Sequence, residues 1–179
     1  MKKSALTLLA LLLGLAQAHP VDEVVQGAYL TLAPGKVQLE LDLTPGTQVA
    51  ATVLSAIDTD TDGKITGTEA RSYAKLVLRQ STLKLNGVVV SWTLDTVEMP
   101  PYSDLKTGNA VLKIYALAKR ADAAGAQSLS YENRYQPVKS QWIANIFLLP
   151  AAGWQYGVTG QQHSNDGRQL TVKYQVTRS

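Results

Sequence analysis

"VVQGAYLTLAPGKVQLELDLTPG", residues 24–46, carries the clearest periodicity in the chain. In its second half Val37, Leu39, Leu41 and Leu43 alternate with Gln38, Glu40 and Asp42. Side chains along a strand point to opposite faces in turn, so this pattern predicts a strand with one face on a core and the other in water. "VVQGAYLTL" before it reads as a second strand, with "APGK" as the turn between them, and Pro45-Gly46 ends the pair.

The same period returns further along. "STLKLNGVVVSWTL" places Asn86-Gly87 between two apolar runs, a hairpin signal that needs positive φ at both turn positions. "NAVLKIYALAK" alternates in part, with Leu112, Ile114 and Tyr115 as candidates for burial. "QSLSYENRY" and "QWIANIFLL" follow as strands. "WQYGVTGQQ", then "SNDG", then "RQLTVKYQVT" reads as a closing hairpin whose inward face is Leu170, Val172, Tyr174 and Val176. About eight short strands with frequent turns predict a mainly β fold, an antiparallel sandwich or barrel. One domain over residues 19–179 accommodates it, and 45% hydrophobic residues supply its core.

Between the second and third strands the period changes. Val49, Val53, Ala56 and Ile57 fall on one helical face, and so do Ala70, Tyr73, Ala74 and Val77. A helix–loop–helix insert is therefore expected over about residues 47–79. Its loop, "DTDTDGKITGTE" (58–69), puts four carboxylates into twelve residues. A hard divalent cation such as calcium takes six to eight oxygen ligands, and a compact loop must aim several at one centre. Asp58, Asp60 and Asp62 occupy loop positions 1, 3 and 5, and Gly63 permits the sharp turn at position 6. Lys64 offers its backbone carbonyl at position 7, Thr66 a hydroxyl or a held water at position 9, and Glu69 a bidentate carboxylate at position 12. Ile65 is the apolar anchor between them. These are the features of an EF-hand loop, flanked on each side by a helix-periodic segment. Such hands usually pair, yet no second loop of this kind occurs: "SNDGR" at 164–168 has too few carboxylates. The hand is expected to dock on the β domain, with calcium ordering it in a mainly structural role.

The first eighteen residues read as a secretory leader: a basic "MKK", an apolar "ALTLLALLLGLA", and the small-x-small signal Ala16-Gln17-Ala18. The apolar run falls short of the roughly 20 residues of a membrane span. The expected location is periplasmic or extracellular. Without Lys2 and Lys3 the remainder carries 15 basic and 14 acidic residues, a balance that points to no polyanionic partner. No basic run alternates with aromatics, which argues against nucleic-acid binding. The chain has no cysteine, so an exported form is held by core, topology or metal rather than disulfides.

Nothing here reads as an enzyme. No nucleophile elbow, H-E-x-x-H pair, P-loop or dinucleotide fingerprint occurs. Trp92, Trp142, Trp154 and Tyr156 are expected in the core or on sheet faces, with a ligand or carbohydrate groove as the alternative. Cleavage after Ala18 leaves His19 at the amino terminus, and with His163 it forms a candidate copper or nickel pair, since imidazole suits such metals.

The order of features resembles a family of exported bacterial EF-hand domain proteins. The carrying segments are "YLTL" (29–32), "VQLELDLTPG" (37–46), "VLSAIDTDTDGKITGTEARSYA" (53–74) and "LKLNG" (83–87). The chain is also similar to the extracytoplasmic domain that precedes the membrane helices in metal permeases of the hydrogenase/urease-accessory type. "YENRYQPVKSQWIANIFL" (131–148) looks like that domain's last strands. The resemblance spans most of residues 19–149 and implies calcium at Asp58, Asp60, Asp62, Lys64 and Glu69. It implies at most a binding or accessory role beside a protein partner at the membrane or cell envelope. The sequence contains no membrane helix in its later part; "WIANIFLLPAAGW" is an interrupted apolar strand.

Overall fold

The computed structural model describes residues 21–108 and 110–178; the expected leader and His19 lie outside them. Along the chain run β1 (Val24–Ala33), β2 (Lys36–Pro45), α1 (Ala50–Ile57), α2 (Gly67–Arg79) and β3 (Ser81–Leu85). Next come β4 (Val88–Val90), β5 (Thr93–Glu98), α3 (Tyr102–Lys106), β6 (Leu112–Lys119) and β7 (Gly125–Asn133). The last elements are β8 (Ser140–Leu148), β9 (Trp154–His163) and β10 (Gln169–Arg178).

Ten strands form two five-stranded sheets, in the orders β5-β6-β2-β1-β8 and β4-β3-β7-β10-β9. The molecule is a sandwich, not a closed barrel: each sheet ends in edges, β5 and β8 in one, β4 and β9 in the other. Two more strands are present than the turn spacing suggests. "VVVSWTL" is one apolar run in the sequence, but it divides at Ser91-Trp92, where the chain passes from one sheet to the other. Pairing is antiparallel except between β1 and β8, which run parallel.

Alternation decides what is buried. Val37, Leu39, Leu41 and Leu43 are at most 1% exposed, and so are Leu112, Ile114, Ala116 and Ala118 from β6. Leu170, Val172, Tyr174 and Val176 line the facing sheet, as their spacing predicts. Tyr115, in contrast, falls on the outer face of β6, one position out of phase with Ile114. Asn86 and Gly87 both take positive φ (50° and 81°) in the β3–β4 hairpin, and the Asn86 carboxamide oxygen accepts from the Ser128 amide.

The helical insert is part of this core. Val53, Leu54 and Ile57 of α1 and Tyr73, Ala74, Val77 and Leu78 of α2 are buried in the same apolar cluster as the strands. α2 lies over β5 and β3, while α1 packs on α2 and on the short α3. That helix went unread in the sequence, although Pro101 precedes it and Gly108, at φ 70°, follows it. A Cβ on Gly108 would meet the Thr47 backbone nitrogen at 2.6 Å, so this turn closes tightly on the entry to α1.

A buried polar network ties the sheets to the insert. Gln26 Nε2 donates to the Tyr135 carbonyl, Asn133 Nδ2 to Gln26 Oε1, and the Tyr135 amide to Asn133 Oδ1, all within 3.0 Å. Tyr135 in turn meets Tyr73 of α2 edge to face, their hydroxyls 2.7 Å apart. Each buried polar atom named here has a partner, the condition for such a network to stabilise.

Candidate metal centre

The loop between α1 and α2 bends through two left-handed residues, Thr61 at φ 60° and Gly63 at φ 76°. Glycine adopts this conformation freely, whereas β-branched threonine does so rarely and under strain. The bends turn backbone amides inward. Asp58 Oδ1 accepts from the Asp62 amide at 3.2 Å, and Asp58 Oδ2 from the Gly63 amide at 3.0 Å. Asp62 Oδ1 accepts from the Lys64 amide at 2.8 Å. Asp58 is 4% exposed, whereas Asp60 is open to solvent.

Glu69 is held from two sides. Its Oε1 accepts from the Thr59 amide at 2.8 Å, and its Oε2 from the Thr66 amide at 3.0 Å. Thr66 is the N-cap of α2: its Oγ1 accepts from the Glu69 amide while the Glu69 carboxylate reaches back, a complete capping box. The Thr66 and Thr59 donors hold the Glu69 carboxyl down to about 2. Asp60 goes the other way. The Asp62 amide pulls it down, but partial desolvation together with the charges of Asp62 and Glu69 leaves it raised.

One carboxylate oxygen from each of Asp58, Asp60 and Glu69 lies within 4.8 Å of the others. Of the six residues assigned to the ion from the sequence, these three converge. Asp62 spends one oxygen on the Lys64 amide, and Thr66 serves the helix cap, its hydroxyl donating to Glu69 Oε2 at 2.8 Å. Lys64 is exposed, as expected of a residue contributing only its carbonyl. The sequence reading missed Thr59, whose amide and hydroxyl (3.2 Å) both hold Glu69 Oε1. No residue-type signal marks it, because the amide does most of this work.

The donor set fits a hard cation. Three anionic oxygens face one point, and an ionised carboxylate has about four lone-pair sites, so amide contacts leave capacity for an ion. Both threonine hydroxyls on Glu69 are single-bond rotors that can turn away without loss of the amide anchors. Among the described residues no ion pair reaches Asp58, Asp60, Asp62 or Glu69.

The sandwich backs the loop. Ile65 packs against the apolar cluster, the docking expected for a lone hand. His163, the second candidate for a copper pair, lies at the end of β9 with Nε2 2.9 Å from the Ala144 carbonyl; His19 is outside the described residues. Trp142 lies under the Arg168 guanidinium at 3.9 Å, and Trp154 and Tyr156, which face Arg178 and Arg120, pack partly buried against the core cluster. No family model matches the chain, and no curated protein matches it.

Proposed function

We propose that this is an exported calcium-binding protein, a β-sandwich binding or interaction module whose single EF-hand holds a mainly structural calcium ion. Asp58, Asp60, Asp62 and Glu69 would supply side-chain oxygens and Lys64 its carbonyl, with Thr66 positioning Glu69. The observation carrying this reading is the convergence of Asp58, Asp60 and Glu69 oxygens within 4.8 Å in a loop whose twelve residues match the calcium pattern throughout. Export rests on the leader-like residues 1–18. A partner at the cell envelope is the corresponding expectation.

Calcium bound to the folded state alone stabilises it by mass action, about 2.7 kcal/mol at a hundredfold excess over the dissociation constant. For a domain of this size that is a rise of roughly 5–10 °C in Tm. Thermal melts in calcium and in chelator should show this rise for the wild type and none for Glu69→Ala. Superimposable wild-type melts would sink the reading.

A further inference from the structure

At the far end of α2 from the calcium loop lies a cleft of about 520 Å³, within the range of small-molecule sites. Lys75 and Arg79, one helical turn apart, form its roof, and Val90, Trp92 and Leu94 are apolar parts of its wall. Both cations are exposed and neither has an ion-pair or hydrogen-bond partner among the described residues; no acidic side chain lines the cleft. Ser81, in the wall, is 8% exposed, and its hydroxyl interacts with that of the buried Tyr131. The Nε1 of Trp92 is buried and unpartnered. Buried polar groups in folded proteins are paired as a rule, so the unpaired Trp92 Nε1 marks a place where a partner is missing.

We propose that this cleft binds a small organic anion, with one anionic head group between Lys75 and Arg79 and an apolar body against Trp92 and Leu94. Two unpaired cations and no acid select a negative head group, and charge-assisted bonds to it are stronger than neutral ones. A peptide strand is the poorer occupant, because the adjoining edge, β4, spans three residues where strands commonly need five or six. The site arises where the sandwich seam between β4 and β5 is roofed by α2 instead of being closed by strand contacts. It does not rest on the calcium reading.

Hexanoate, hexan-1-ol and acetate titrated into the labelled protein, followed by amide and indole NMR shifts, separate head group from body. Hexanoate should shift the Trp92 indole and Ser81 amide saturably, with both hexan-1-ol and acetate at least about tenfold weaker. The double variant Lys75→Gln, Arg79→Gln should weaken hexanoate by about tenfold and leave hexan-1-ol unchanged. Both side chains are exposed, and the spectrum itself reports whether the variant is folded. No saturable hexanoate shift at these two probes through the millimolar range would overturn the proposal. So would hexan-1-ol or acetate binding as tightly as hexanoate, or a double variant that binds hexanoate normally.

Discussion

Two acidic clusters in this molecule handle the same problem differently. On the outer face of the first sheet, Glu40 and Asp42 sit across from Lys113, whose Nζ is 2.6 Å from Glu40 and 3.5 Å from Asp42. In the α1–α2 loop, Asp58, Asp60 and Glu69 bring carboxylate oxygens within 4.8 Å of one another, and no ion pair among the described residues reaches them. The sheet carries its counter-ion in its own sequence, at a cross-strand position set by register. The loop turns amides and hydroxyls on its carboxylates, which satisfies hydrogen bonds and leaves the charge uncompensated. On the proposed reading a cation from solution completes the loop, and the stability of the loop, unlike that of the sheet, should follow ion concentration.

The largest effect that sharpens this contrast is in the sandwich. Leu41 lies between Glu40 and Asp42 on β2 but faces the core, with 0% of its surface exposed. Leu41→Ala removes buried carbons and leaves a cavity, for a loss of about 2–5 kcal/mol. Chemical denaturation should return the same loss in calcium and in chelator. A loss that depends on calcium would mean that sheet and loop are one energetic unit, and the contrast would fail.

Much of this was readable from the residues, for a physical reason. Period-two alternation in β2, β6 and β10 records burial directly, because a one-residue slip would turn every apolar side chain to solvent. The convergence of Asp58, Asp60 and Glu69 was readable because these carboxylates lie within one twelve-residue loop. What escaped was set by distant contacts. The parallel β1–β8 pairing, the sheet switch at Ser91-Trp92 and the packing of α3 on α1 leave no local period. Within the site, Thr59 escaped because it acts through its backbone; Asp62, whose Oδ1 accepts from the Lys64 amide, is not among the converging carboxylates.

An intermediate effect tests the loop side of the contrast. Asp60 is raised above the ordinary aspartate range by its crowded neighbours despite the Asp62 amide. Asp60→Asn relieves that crowding and keeps an oxygen for the amide. In chelator the variant should melt slightly above the wild type; in calcium it should melt below it. Loss of groups that merely support metal ligands costs about 10–100-fold in affinity, so loss of this carboxylate should cost at least as much by calorimetric titration. An unchanged calcium affinity would remove Asp60 from the ligand set.

The smallest effect tests whether Lys113 fully resolves the sheet cluster. Asp42 Oδ1 is buried with no hydrogen-bond partner. Desolvation raises its carboxyl, Lys113 opposes this, and Glu40 and Glu98 add to the rise. A carboxyl raised on folding binds its proton more tightly in the native state, so stability falls as pH climbs from the ordinary aspartate range through the higher folded value. At neutral pH the ionised Asp42 therefore weakens the fold, by under about 1 kcal/mol given its partial exposure. Asp42→Asn removes the charge and should stabilise the protein at pH 7 by that amount. Below the ordinary aspartate range the wild type is itself protonated, and the gain should vanish. Urea denaturation at about pH 7 and about pH 3 resolves the two cases. An equal gain at both pH values would assign the effect to packing rather than charge. A loss at pH 7 would mean that Lys113 holds Asp42 as firmly as it holds Glu40, and the sheet's acids would then need nothing further from solution.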